Sequence, residues 1–361
     1  MCSVARQLRM TSTNYETDNS VITRALGLPL YFRLVATLWL ALTCTTALSA
    51  DAPGGTVRVG VLKFGTVNWE LDVMEARSLA QKHRFNLKVI PLASGDASTI
   101  ALQGGAVDVI VSDWIWVTRQ RGDAYPYTFV PFSNAVGSVM VKADSGLRTV
   151  ADLKGKSIGV SGGPSDKMWL LLRAYAAKTS GMDLATATKP VYAAPPLLNE
   201  LALGGQVDAA LNVWHYGARL EAGGMRPLIK FSDLLAGLGI DKPIPLIGWV
   251  FRDDWAAKNT ELLERFFAAS MEAKGIMAKS DAEWDRLKPL MRAEDHTTFS
   301  ALRAGYRNGI PSCADPDYAS TVAATFKILA DVGGEKLVGK STTLNDGTFW
   351  SGFKLPVCPK K

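Results

Sequence analysis

Histidine is nearly absent from this 361-residue chain, which has only His83, His215 and His296. There is no His-Glu-x-x-His pattern for zinc and no Gly-x-Ser-x-Gly elbow for a nucleophile, so metal-assisted and serine-type hydrolysis lack their usual groups. No metal site and no cofactor is called for. Runs of like charge are also missing. Lys and Arg total 40 against 34 acids, a net charge of +6, and the residues before Asp51 hold four Arg against Glu16 and Asp18, leaving 36 − 32 = +4 for the rest. Basic residues spread this evenly give no nucleic-acid footprint.

Long apolar runs are scarce as well. The longest, Leu34 to Leu48, is interrupted by threonines and Cys44, follows Arg24 and Arg33, and leads into Ala47-Leu48-Ser49-Ala50-Asp51. A spanning helix needs ~20 apolar residues, and this run is short of that. A basic flank, a short apolar core and small residues before a polar break predict a secretory signal over residues 1–50, cut near Ala50. Of the four cysteines, that cut removes Cys2 and Cys44 and leaves Cys313 and Cys358. Two cysteines left together in an oxidising periplasm predict a disulfide, which closes the C-terminal loop and stabilises the fold by about 3–4 kcal/mol in the chain-entropy account.

The most informative pattern present is a duplication. Leu102-Gln103-Gly104-Gly105-Ala106-Val107-Asp108 runs into Val109 to Trp114, and Leu203-Gly204-Gly205-Gln206-Val207-Asp208 runs into Ala209 to Trp214. In each copy an apolar helix end meets a Gly-Gly turn, which supplies a positive φ, and then an apolar strand ending on tryptophan. Upstream of each copy stand a β-branched strand (Val57–Leu62; Ser157–Val160), a helix (capped by Asn68, with Glu70 and Asp72 in its first turn; about Ser165–Lys178) and a second strand (Leu87–Pro91; near Val191-Tyr192). This alternation predicts parallel sheets with right-handed crossovers, and therefore α/β lobes. Tyr127–Lys142 and Leu246–Phe251 have the extended composition of strands crossing between lobes. After Phe251, amphipathic helices are predicted at about Glu261–Lys279, Ala282–Arg292, Thr297–Asn308 and Asp317–Asp331.

The strand Val57–Leu62, the repeated Gly-Gly-x-Val-Asp, the stretch Thr149-Val150-Ala151-Asp152-Leu153-Lys154-Gly155-Lys156-Ser157-Ile158-Gly159-Val160, and Trp249-Val250-Phe251-Arg252-Asp253-Asp254-Trp255 stand in a distinctive order. Together they resemble the periplasmic substrate-binding proteins of ABC importers, in the branch handling nitrate, sulfonates, taurine and pyrimidine vitamin precursors. The resemblance implies two Rossmann-like lobes joined by two crossing strands, the type II periplasmic binding fold, with C-terminal helices added. Lobe 1 is expected over 51–135 plus 246–361, and lobe 2 over 136–245. It also implies a periplasmic monomer that closes on a small-molecule ligand and docks on an ABC permease.

Carboxyl ends of parallel strands are where open α/β sheets hold ligands. The expected ligand contacts are therefore Ser112, Asp113 and Trp114 after one strand, Ser161, Gly162 and Ser165 in the glycine-rich turn after another, and Trp214 at the duplicated strand end. Trp69 and Trp249 complete an aromatic wall. The turn at Ser161–Asp166 opens a helix, so its free N–H groups suit an anion, whereas Glu70, Asp72, Asp113 and Asp166 favour a cation or polar heterocycle. Two other functions remain open at this point: an enzyme on the same fold, of pyrimidine-precursor synthase or dehydratase type, and a binder of a hard metal ion or its chelate.

Overall fold

Alternating burial of Val57, Val59 and Val61, all at most 3% exposed, seats the first strand in the core. The computed structural model describes residues 54–164, 166–240, 245–293, 295–311 and 318–353. The predicted signal, Ser165, Cys313 and Cys358 lie outside the described residues. No helix among the described residues is long and apolar enough to cross a membrane.

The strands are β1 (Thr56–Leu62), β2 (Asn86–Leu92), β3 (Val109–Asp113), β4 (Tyr127–Ser133), β5 (Ser138–Lys142), β6 (Ser157–Ser161), β7 (Lys189–Ala193), β8 (Ala209–Asn212), β9 (Met225–Lys230) and β10 (Ile247–Arg252). They form two five-stranded sheets, in the orders β2-β1-β3-β10-β4 and β7-β6-β8-β5-β9. Within each sheet the first three strands are parallel, and the fourth position is filled by an antiparallel strand. Those antiparallel strands come from the chain crossings. β5 enters the second sheet directly after β4 leaves the first, and β10 returns to the first sheet from the second.

The repeated Gly-Gly-x-Val-Asp turns out to be a structural clasp. Gly105 and Gly205 have φ of 70° and 72°, the left-handed backbone that the second glycine permits without a Cβ clash. Val107 and Val207 are buried, and the following aspartates hold the start of each sheet's first strand. Asp108 accepts from the Arg58 backbone N–H at 2.9 Å and from its guanidinium, while Asp208 accepts from the Ser157 N–H at 2.8 Å and its hydroxyl at 2.7 Å.

The C-terminal helices Thr260–Lys279, Asp281–Met291, His296–Gly309 and Tyr318–Gly333 lie close to their expected bounds. Helix Thr260–Lys279 packs on Val67–Ala76 beside the first sheet, whereas Tyr318–Gly333 packs on Lys167–Ser180 beside the second. The tail therefore touches both lobes. One expectation fails in detail: Asn68 does not cap the first helix, which begins at Val67, and its amide instead donates to the Leu62 and Gly65 carbonyls at 2.7 and 2.8 Å. The turn before that helix is pinned by this side chain in place of a cap.

Candidate ligand-binding site

Ser112 and Asp113 close β3, and Asp113 caps the helix Trp114–Gly122 by accepting from the Trp116 N–H at 2.8 Å. Its second oxygen accepts from the Lys167 ammonium at 2.6 Å. Lys167 opens the helix Lys167–Ser180, directly after β6 and the Ser161–Asp166 turn. This ion pair therefore joins the strand ends of the two sheets at the two places where ligand contacts were expected.

Around that pair the chemistry is polar. Ser161 is buried at the end of β6 and Gly162 is exposed beyond it. Asp166 caps its helix through the Trp169 N–H at 3.0 Å, and burial pushes its carboxyl up against the opposing pull of Lys167. Burial pulls the Lys167 ammonium down, but Asp113 and Asp166 outweigh it and the net shift is upward, so this lysine stays charged. Lys167 was not singled out from the sequence. The available signal was electrostatic: a lysine in the first turn sits at the positive end of the helix dipole and needs a carboxylate nearby to be tolerated.

The expected aromatic wall divides into two kinds of tryptophan. Trp114 is 0% exposed and lies 6.4 Å from the Phe326 ring, while Trp249 is 1% exposed between Phe132 and Phe266, each with centroids 5.0 Å away. Both pack in the core and offer no surface to a ligand in this conformation. Trp214 is partly exposed, and its ring meets Trp69 edge-on at 6.1 Å and Tyr306 at 6.5 Å. The duplicated tryptophans therefore occupy equivalent chain positions in unlike surroundings.

The four acids thought to gather near the ligand are all engaged within the chain, Asp113 and Asp166 beside Lys167 and the other two elsewhere. Glu70 is fully buried, accepting from Ser270 at 2.5 Å and Tyr306 at 3.0 Å and pairing with Lys274. Asp72 pairs with Arg286. Among the described residues no group of three or more His, Cys, Asp and Glu is placed to hold a metal ion. His215 follows Trp214, and burial together with Arg219 lowers its pKa to about 4, so the ring is neutral at pH 7.

Two parallel-stranded sheets that exchange antiparallel strands at a double crossing, with strand ends meeting between them, define the class: the type II periplasmic binding fold. The chain belongs to the NMT1/THI5-like family, whose model matches residues 83–283. A relative from Brucella abortus (strain 2308), named "Putative binding protein", is 29% identical over 247 residues, covering 67% of this chain and 72% of its own. The fold is shared with the periplasmic aliphatic sulphonate binding protein SsuA of Escherichia coli at TM-score 0.65 and 18% identity, over 85% of this chain and 95% of that one. It is also shared with the alkanesulfonate-binding protein SsuA of Xanthomonas axonopodis pv. citri bound to MOPS, at TM-score 0.61 and 20% identity, over 82% and 98% of the two chains.

Proposed function

We propose that this protein captures a small organic ligand between its two lobes and presents it to the permease of an ABC importer, acting by binding without chemistry. The observation that carries this reading is the convergence of strand ends. Asp113 at the end of β3 and Lys167 after β6 lie 2.6 Å apart, so the carboxyl ends of these two strands, one from each sheet, face each other. The family membership and the names of the similar proteins, all of them binding proteins, support it.

In this reading Ser112, Asp113, Ser161, Gly162, Ser165 and Lys167 contact the ligand. Trp214 forms a wall, and Trp69, which is 5% exposed, supports it from the core with Trp114 and Trp249. Lobe 1 comprises 51–135 and 246–361, lobe 2 comprises 136–245, and the crossings at 134–137 and before β10 are the hinges. Closure is driven by the ligand's better contacts with the closed form, and the permease reads that form. Asp113 and Asp166 beside a single lysine favour a ligand with hydrogen-bond donors or a positive charge, in contrast to the sulfonates named for the two SsuA neighbours.

The mature chain is proposed to be a periplasmic monomer that begins near Asp51 and carries a Cys313–Cys358 disulfide. Intact and native mass spectrometry of protein taken from the periplasm tests this. A chain starting near Asp51, lighter by two hydrogens than its reduced form and carrying one small molecule per monomer, is expected. An uncleaved chain with free thiols that converts a bound precursor into a product of different mass would replace transport by the enzyme reading.

A further inference from the structure

Trp214 opens the helix Trp214–Ala222 on the second sheet's side, yet its ring is received by groups from the first sheet's side. Trp69, on the helix Val67–Ala76, meets it edge-on at 6.1 Å. Tyr306, on the helix His296–Gly309, lies 6.5 Å away at 59°. Between them Gly305 leaves the space the ring needs: a Cβ there would sit 2.8 Å from the Trp214 Cζ3 and 3.0 Å from its Cε3, closer than packed atoms approach.

The notch is self-supporting. The Tyr306 hydroxyl donates to Glu70 at 3.0 Å, and Trp284 braces both rings, with centroids 5.3 Å from Tyr306 and 6.1 Å from Trp69. None of these contacts involves Trp214, so the notch keeps its shape whether or not that ring is seated. Beside it, Arg219 from the Trp214 helix donates to the Met291 carbonyl at 2.6 Å and the Arg292 carbonyl at 3.1 Å. Carbonyls at a helix C-terminus have no partner within the helix and are ready acceptors. Trp114, the duplicate of Trp214, is instead fully buried, so of the two only Trp214 is placed to move in and out.

We propose that Trp214 and Gly305 form a reversible latch between the lobes, with the Trp214 ring as the bolt and the Trp69–Gly305–Tyr306 notch as its keeper. The latch sets the fraction of molecules with their lobes together. It stands on contacts within the chain and does not depend on which ligand is carried.

Small-angle X-ray scattering of the full mature chain, dialysed and with no ligand added, tests it. Gly305→Val fills the notch and Trp214→Ala removes the bolt without crowding. Both are expected to give a larger radius of gyration than the unaltered protein, with an unchanged far-ultraviolet circular dichroism spectrum. A radius equal to that of the unaltered protein in the folded variants overturns the latch. If Gly305→Val does not fold, Trp214→Ala alone decides between the same two results. No ligand enters the measurement, so failure here leaves the binding reading intact, and failure of the binding reading leaves the latch to stand on scattering.

Discussion

His215 couples the stability of the second lobe to pH. The unfolded chain takes up a proton near the ordinary pKa of 6.5, while the folded ring does so only at about 4. Above pH 6.5 neither state is protonated and the group contributes nothing. As pH falls from 6.5 toward 4 only the unfolded chain gains the proton, so stability drops, by at most about 3 kcal/mol for a ring that is partly exposed. Urea unfolding at pH 7.0 and 4.5 checks this: His215→Gln should lose less stability between the two conditions than the unaltered protein. A more severe residue effect is expected at the Glu70–Lys274 pair, which is buried on both sides, with the Lys274 ammonium 3.7 Å from the Phe132 ring centroid. Burial lowers the Lys274 pKa against the opposing pull of Glu70, and burial raises the Tyr306 hydroxyl well above its usual range. Lys274→Met alone strands a carboxylate in the core and should cost about 3–5 kcal/mol, whereas Lys274→Met with Glu70→Gln should recover much of that loss. Denaturant midpoints of the single and double variants measure the difference.

At the scale of elements, the duplication offers an internal control. Asp108 is buried and holds both the Arg58 backbone and its guanidinium, while Asp208, doing the same for Ser157, is exposed. Asp108→Ala should therefore destabilise by about 2–3 kcal/mol and Asp208→Ala by about 1 kcal/mol, since water replaces the lost acceptor only at the exposed copy. Equal losses in thermal unfolding would contradict this account of the motif. The same motif explains what could be read in advance. Gly-Gly followed by an apolar strand has one economical backbone solution, and the alternation of apolar strands with helices placed β1, β3, β6 and β8 without reference to tertiary contacts. The strand β9 was not legible, because Pro227 within Met225–Lys230 reads as a loop. It is tolerated because β9 is the outer strand of its sheet, pairing only with β5 through a register shift. Nor could the motif distinguish Trp114 from Trp214. Their fates are set by Phe326 and Gly305, which lie far along the chain and reach them only after the C-terminal helices fold back.

At the scale of the molecule, two sheets share a chain that crosses between them twice, and the C-terminal helices contact both sides. The Lys167–Asp113 pair and the Trp214 notch are separate fastenings across the same boundary. A ligand that binds between the lobes must make better contacts with their joined arrangement than with the separated one, or it shifts nothing. Fastenings already present reduce what the ligand has to supply, so weakening the notch is expected to lower apparent affinity in proportion to the closed fraction lost. The central claim, that a ligand is held at the strand ends around Asp113 and Lys167, is tested most directly by isothermal titration of the mature protein. The panel should comprise small amines, polar heterocycles, alkanesulfonates and nitrate, run in parallel on a Lys167→Met/Asp113→Asn variant shown to be folded. The account predicts saturable one-to-one heat with a donor-bearing compound and an affinity at least tenfold weaker in the variant. Equal affinity in the two proteins, or no saturable heat with any member of the panel, would contradict it.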